Sequence, residues 1–221
     1  MTLDQIIQTI SIWILPVLFA VTLHEAAHGY AAKRLGDTTA QMLGRLSLNP
    51  LRHVDPIGTV VVPLALLVLG GFIFGWAKPV PVNFNNLKHP RRDMALVAAA
   101  GPMANLAMAL FWALVMKLGL DFASSGNDFF AVPLTLMGQA GISINLILMI
   151  LNLLPLPPLD GGRVLSGLLP PAWSDRLDRI EPYGLIILVI LLMTHVLSMI
   201  IGPIYAVIGG GIYNLFGLPH L

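Results

Sequence analysis

The chain has 221 residues, of which 57% are hydrophobic and only 10% carry a charged side chain. Ordinary soluble domains have about 25% charged residues, so this composition excludes a soluble globular fold and indicates an integral membrane protein. The 12 Lys and Arg residues nearly balance the 11 Asp and Glu residues, and the net charge of +1 argues against nucleic-acid binding. Cysteine is absent, which excludes disulfides and thiol chemistry and leaves His, Asp and Glu to bind any metal.

Six apolar runs predict an all-α polytopic membrane protein with about five to six membrane segments. The first run, Ile6–Leu35, can cross about 30 Å of hydrocarbon as a helix, and it lacks the features of a removed signal peptide. The later runs are Ile57–Ala77, Met94–Leu118, Pro133–Leu154, Leu185–Ile201 and Ile204–Phe216. The last run is short and rich in glycine, so an interfacial or partly inserted segment is also expected there.

The basic residues predict the orientation of the chain, because loops rich in Lys and Arg face the cytoplasm. All of them except Lys117 lie in the stretches 33–52, 78–92 and 163–179. We therefore expect these three stretches on the cytoplasmic side of the membrane. The N-terminus and the loop 119–132 are expected on the outside.

The run 57–77 conflicts with simple hydropathy, since basic stretches flank it on both sides. A segment with both ends in the cytoplasm crosses an even number of times. Pro63 and the Gly70-Gly71 pair could divide the run into two short arms. We therefore predict a re-entrant hairpin here. The alternative is a single span, which would break the charge rule.

The sequence His24-Glu25-Ala26-Ala27-His28 lies inside the first apolar run. Helix positions i and i+4 share a face, so both imidazoles can bind one cation, and the intervening Glu can act on a water. This pentapeptide also occurs in helices that bind no metal. Here, however, His24 lies about 13 Å inward from Lys33, where a charged side chain costs about 2.5–3.5 kcal/mol. A divalent cation would offset that cost.

Two histidines do not complete a catalytic zinc site, which usually has three protein ligands. The candidate third ligand is Asp160, which follows the proline-rich stretch 155–158 and precedes Gly161-Gly162. The prolines cannot continue a helix, and the glycines permit a tight turn. Such irregular backbone is tolerated at membrane depth when it is buried in protein or lines a cavity. The alternative is a polar loop at the membrane surface.

Taken together, these motifs resemble the site-2 protease family of intramembrane zinc metalloproteases, and in particular a compact bacterial branch of it. The resemblance covers roughly residues 20–170. It rests on the His-Glu-x-x-His motif at 24–28, Ala-Gly-Pro-Met-Ala-Asn at 100–105, the Asn…Leu-Asp-Gly-Gly run at 152–162, and the stretches 44–56 and 75–93.

The resemblance implies one intramembrane metalloprotease domain over 1–221, with its core in about 6–170 and C-terminal membrane segments in 183–221. It also implies one Zn²⁺ per chain, with His24, His28 and Asp160 as ligands. Glu25 would be the general base that takes a proton from the attacking water.

Two asparagines also match family positions. Asn152 is expected near the metal, where it helps to hold the substrate backbone or the oxyanion. Asn105 is the weaker candidate for substrate binding, and a polar contact between helices is an equal alternative. The resemblance further implies a small β element in 38–56 at the cytoplasmic face, able to pair with an extended substrate.

The expected activity is hydrolysis of peptide bonds in or near the transmembrane segments of membrane-protein substrates. The expected partners are such a substrate and the lipid bilayer, and no nucleic acid. The expected location is the bacterial cytoplasmic membrane, with the active site nearer the cytoplasmic face. The rival from another class is an ion or metal transporter that uses the buried His, Glu and Asp groups as its pathway. A third hypothesis is a binding scaffold without catalytic activity, although every expected catalytic position has the expected residue.

Overall fold

The computed structural model describes residues 2–53, 55–61 and 78–219, and these residues are helical or irregular. Single turns of 3₁₀ helix lie at Pro50–Arg52 and Phe84–Asn86, and a π-helical turn lies at Pro56–Val61. The α-helices are α1 (Leu3–Leu35), α2 (Thr39–Met42), α3 (Pro90–Ser124), α4 (Asp128–Asn152), α5 (Asp160–Leu168), α6 (Pro171–Asp178), α7 (Glu181–Met193) and α8 (Val196–Phe216).

Four of these helices, α1, α3, α4 and α8, are long and apolar enough to cross a membrane. Helix α7 is also apolar but has only 13 residues. Helix α3 is central, because it packs against α1, α4 and α5. Its contacts with α1 and α5 bring the first apolar run next to the chain segment that follows α4.

Close helix packing depends on small residues at the α3–α4 interface. A Cβ on Gly138 would lie 2.6 Å from Met116 Cα, and one on Gly141 would overlap the Trp112 ring. Close backbone approach through small residues is typical of helix association in lipid. The buried cluster that results contains Ala109, Trp112, Ala113, Met116, Ile142, Leu146, Met149, Ile150, Ile212 and Tyr213.

The structure places two helix boundaries differently from the hydropathy pattern. The run 185–201 is not one helix, since α7 ends at Met193 and α8 begins at Val196. The Thr194 hydroxyl donates back to the Ile190 carbonyl, and His195 has a left-handed φ of 59°. The helix therefore stops inside an apolar sequence. The loop expected at 119–132 is also mostly helical, and only residues 125–127 separate α3 from α4.

The predicted β element at 38–56 is wrong, because no β-strand occurs in the parts of the chain that the structure describes. The backbone there bonds locally instead: Met42 N–H donates to Thr38 O, and Arg45 N–H donates to Ala40 O. The Asn49 side chain caps the 3₁₀ turn by accepting from Leu51 N–H. Weak alternation of apolar residues gave this segment no face that would favour a strand.

The residues 36–53 and 78–89 lie together after the end of α1, and we call them the loop lobe. Helix α1 ends at Gly36, whose φ of 119° favours glycine. Lys88 N–H donates to the carbonyl of Leu35, and Lys78 N–H donates to that of His53. One backbone hydrogen bond thus joins the two parts of the loop lobe without forming a sheet, and the other joins the second part to the end of α1. The predicted hairpin over 57–77 falls mainly on 62–77, outside the described residues, and stays a prediction.

Candidate metal centre

The two histidines of the first helix face each other on one side of α1. Their Nε2 atoms are 3.1 Å apart, and their rings meet edge to face at 87°. His24 is buried, with 8% of its surface exposed. The separation of four residues places both rings on the face that α1 turns toward α3.

Asp160, the first residue of α5, joins this pair. Its Oδ2 atom lies 3.2 Å from His24 Nε2 and 3.3 Å from His28 Nε2. The glycines that follow allow the approach: a Cβ on Gly161 would overlap the Leu153 carbonyl. The three side chains are the one group in the described residues that could hold a metal ion, and we call them the metal centre.

Helix α3 makes room for the metal centre at Gly101. A Cβ at this position would overlap His28 Nε2 and lie 2.6 Å from His24 Cε1. Any side chain here would therefore displace the two rings. Pro102 follows within the same buried turn. The small residues of the predicted helix thus serve the histidine pair as well as helix packing.

The hydrogen-bond partners of the rings assign their protons. His28 Nδ1 lies 2.8 Å from the Val97 carbonyl, which can only accept, so His28 carries its proton on Nδ1. His24 Nδ1 lies 2.6 Å from the Asn105 side-chain oxygen, which assigns the same tautomer. Both Nε2 atoms then present lone pairs toward the metal centre.

Three acceptor atoms therefore converge with no donor among them. Asp160 Oδ2 is buried and accepts no hydrogen bond. A proton could bridge one of the three close contacts at a time, whereas one cation would satisfy all three. Zinc bonds of about 2.0–2.1 Å in a tetrahedral site separate the ligand atoms by about 3.3 Å. The observed 3.1–3.3 Å separations and the two-imidazole, one-carboxylate donor set fit zinc.

Glu25, the other charged residue of the motif, contacts the loop lobe. Its Oε2 atom accepts a hydrogen bond of 2.8 Å from Val80 N–H. Val80 is buried, and its side chain packs where Gly29 leaves space on α1, 3.0 Å from a Cβ built there. This main-chain contact fixes the position of the Glu25 carboxylate. Sequence reasoning missed Val80, because a backbone donor carries no residue-type signal.

The two predicted asparagines lie in different settings. Asn152, at the end of α4, is half-buried and donates 3.0 Å to the Leu148 carbonyl within its own helix. Asn105 is fully buried and contacts His24, the Ala20 carbonyl and Asn145. Asn145, one of three amide side chains in the apolar run 133–154, was missed from the sequence. Asn105 contacts the metal centre at His24 Nδ1, the ring nitrogen that does not face Asp160.

Comparisons with known proteins identify the family of the chain. The model of Peptidase family M50 matches residues 12–131 and 122–195. "Putative zinc metalloprotease YwhC" of Bacillus subtilis (strain 168) is 38% identical over 211 residues, which are 92% of this chain and 90% of the relative. Two proteins named "Putative zinc metalloprotease Rip2" are also similar. The one from Mycolicibacterium smegmatis is 31% identical over 182 residues, covering 82% of this chain and 66% of the relative. The one from Mycobacterium tuberculosis (strain ATCC 25618 / H37Rv) is 29% identical over 208 residues, covering 92% and 73%.

No solved structure matches the chain. The family match covers most of the chain, and its relatives carry the name of zinc metalloproteases. Four apolar helices of membrane-spanning length accompany that match. The resemblance inferred from the motifs is therefore confirmed. The chain is an integral membrane protein that belongs to peptidase family M50, the site-2 protease family of zinc metalloproteases.

Proposed function

We propose that the chain is an intramembrane zinc endopeptidase, which hydrolyses peptide bonds in or near the transmembrane segments of membrane-protein substrates. The observation that carries this proposal is the convergence of two imidazoles and one carboxylate between membrane-length helices. Charged and polar groups at such depth mark function. The distances among them fit a single metal ion.

In this proposal His24, His28 and Asp160 hold one zinc ion per chain. When bound, zinc supplies Lewis-acid chemistry, polarising the scissile carbonyl and lowering the pKa of the attacking water. The chain's own contribution to the ligands is their orientation. His28 is held by the Val97 carbonyl, and Gly101 keeps the space for both rings free.

Glu25 is the proposed general base. Its carboxylate takes a proton from the attacking water as the oxygen–carbon bond forms, and it gives that proton to the leaving amine as the carbon–nitrogen bond breaks. The Val80 N–H holds Oε2, so the carboxylate does not rotate freely between these two steps. The products are a new carboxyl terminus and a new amino terminus.

Asn152 is the proposed contact for the substrate. It lies at the end of α4, at the start of the irregular segment that leads to Asp160. Its half-buried side chain is bonded to its own helix by one N–H, so its oxygen and second N–H can meet a peptide group. An extended substrate backbone offers the matching donors and acceptors.

The basic stretches favour placing the site nearer the cytoplasmic face of a bacterial cytoplasmic membrane. Lys33 and Arg34 lie in the last turn of α1, and Arg91 and Arg92 lie at the start of α3. His24 lies roughly 13 Å inward from Lys33 along the helix. A substrate would therefore meet the site within the membrane, and water would reach it from the basic side.

The test is reconstitution of the full chain in proteoliposomes with a model transmembrane substrate, with wild type and Glu25→Gln compared side by side. We expect bound zinc in both, and cleavage at least about 100-fold slower in the variant, since a general base contributes roughly 10²–10⁴-fold. Equal cleavage by both would remove Glu25 from the mechanism. Uptake of metal into the vesicles without any cleavage would instead support a transporter.

A further inference from the structure

Two buried asparagines form a series of hydrogen bonds that ends at His24. Asn105 on α3 and Asn145 on α4 both have 0% of their surface exposed. The Asn105 oxygen lies 2.6 Å from His24 Nδ1, and the Asn105 nitrogen lies 2.9 Å from the Asn145 oxygen. A chain of side-chain hydrogen bonds therefore runs from α4 through α3 to a residue of the metal centre on α1.

The direction of this chain is fixed by backbone carbonyls, which can only accept hydrogen bonds. Asn145 Nδ2 donates 2.8 Å to the Gly141 carbonyl, so its oxygen faces Asn105. Asn105 Nδ2 donates to that oxygen and, at 3.2 Å, to the Ala20 carbonyl. The Asn105 oxygen is thereby left for His24, which must donate from Nδ1.

Rotation of the Asn105 amide by about 180° would move the proton of His24 from Nδ1 to Nε2. The NH₂ group would then face Nδ1, and the oxygen would face two other acceptors, Ala20 O and Asn145 Oδ1. His24 would have to accept at Nδ1 and carry its proton on Nε2, the atom that faces Asp160. That state cannot bind a metal through Nε2.

We propose that Asn105 and Asn145 are positioning residues, which hold His24 in the tautomer that keeps Nε2 free for zinc. This inference rests on the proposed zinc site and gives Asn105 a role other than substrate binding. Asn105 sets the tautomer directly, and Asn145 keeps the Asn105 amide from rotating. A partner at the second nitrogen commonly fixes the tautomer of metal-binding histidines.

The other histidine shows why His24 needs this arrangement. His28 Nδ1 meets the main-chain carbonyl of Val97, which cannot change from acceptor to donor. His24 meets a side-chain amide, which presents either kind of group depending on its rotation. The tautomer of His24 therefore depends on side chains, which a substitution can remove, whereas the tautomer of His28 depends on a backbone carbonyl.

The test measures zinc affinity of the purified full-length protein in detergent, by competition with a chelator and without substrate. We expect Asn105→Leu to weaken zinc binding by about 10- to 100-fold. Asn105→Asp should stay close to wild type, because one carboxyl oxygen still accepts from Nδ1 and the other, when protonated, donates. Asn145→Leu should fall between them, since Asn105 keeps the Ala20 carbonyl as a partner.

Ser143→Ala is the matched control. It removes a hydrogen bond of 3.0 Å between Ser143 on α4 and Tyr205 on α8, which is a polar helix–helix contact outside the metal centre. We expect its zinc affinity to equal that of wild type. The absorption spectrum of the cobalt-loaded protein should change in Asn105→Leu and stay unchanged in Ser143→Ala and Asn105→Asp.

Wild-type zinc affinity in Asn105→Leu would overturn the proposal. So would an equal loss in Asn105→Asp and Asn105→Leu, because it would reduce Asn105 to a packing role. These results are separate from the fate of the proposed function. If the zinc affinities of wild type and variants follow the expected order but the wild type cleaves no substrate, the positioning role stands and the protease proposal fails.

Discussion

The metal centre and the loop lobe meet at Glu25, but they are held together in different ways. In the metal centre, side chains from separate helices face one another and are fixed by helix packing. In the loop lobe, side chains bond to backbone: Asp37 accepts from Asn83 N–H, and Arg45 donates to the Lys78 carbonyl. In the proposed function the first region would therefore control metal binding. The second controls how the chain is arranged around Glu25.

This difference predicts that substitutions in the two regions have different effects. Changes at the metal centre should first lower zinc affinity. Changes in the loop lobe should lower turnover or stability and leave zinc bound, because the lobe reaches the motif through the Val80 contact with Glu25 rather than through a ligand.

The largest effect is expected for Gly101→Ala. The added methyl group would overlap His28 Nε2 and crowd His24, so the ligands could not keep their separation. We expect zinc binding and cleavage both to be lost, by about 100-fold or more in affinity. Gly210→Ala is the matched control, since a Cβ there meets nothing within 4 Å. Metal analysis of both purified variants checks this, and zinc retained in Gly101→Ala would contradict the packing argument.

A smaller effect is expected for Val80→Pro, which removes the N–H that holds Glu25. We expect kcat to fall about 10-fold, a part of the roughly 10²–10⁴-fold that a general base contributes, with zinc content unchanged. Val80→Ala keeps the N–H and loses only side-chain packing, so its kcat should stay nearer to wild type. Equal kcat values for the two variants would show that the hydrogen bond does not position Glu25.

The smallest effect on activity is expected at Asp37. Its carboxylate is buried and accepts from Asn83 N–H, Asn86 Nδ2 and Thr39. Asp37→Ala leaves these donors without that acceptor, so we expect the free energy of unfolding to fall by about 2–3 kcal/mol. Zinc affinity at 25 °C should stay at the wild-type value. Thermal unfolding in detergent, with and without zinc, measures both.

Asp37 also gives the loop lobe a pH dependence. Burial alone would raise the pKa of Asp37, but the hydrogen bonds from Thr39, Asn86 and Asn83 outweigh it and lower the pKa below its ordinary value of 3.8. The stabilisation is therefore present above pH 3.8 and is lost as the pH falls through the lowered folded-state pKa. Asp37→Asn should lose this part of the acid dependence. The measurement is the free energy of unfolding at several acidic pH values. The same pH dependence in Asp37→Asn as in wild type would contradict this role of Asp37.

Local patterns predicted the helical parts of the metal centre well. The spacing of His24 and His28 within one apolar run predicts that they share a helix face, and the prolines predict the irregular backbone before Asp160. The turn expected at Gly161-Gly162 is wrong, because both glycines lie in helix α5. The structure brings the three together, while their role as ligands stays a prediction. Asn145 escaped notice because its partner depends on how α4 is rotated against α3, which local sequence does not encode.

The loop lobe could not be predicted in the same way. Its order depends on contacts such as Asp37 with Asn83 and Arg45 with Lys78, which join residues more than 30 positions apart. No hydrophobic period marks these contacts, and the β element, which only the family resemblance implied, was wrong. The break at Thr194–His195 escaped hydropathy for a related reason, because a hydroxyl bond and a left-handed residue end α7 while the sequence stays apolar.

His24, His28 and Asp160 are proposed to hold one zinc ion. The most direct measurement is metal analysis of the purified wild type together with X-ray absorption at the zinc edge. We expect one zinc per chain, with two imidazoles and oxygen ligands at about 2.0–2.2 Å. Asp160→Asn should weaken binding and keep both imidazole signals in any zinc that remains. A wild type without stoichiometric zinc, or with zinc lacking two imidazoles, would contradict the account.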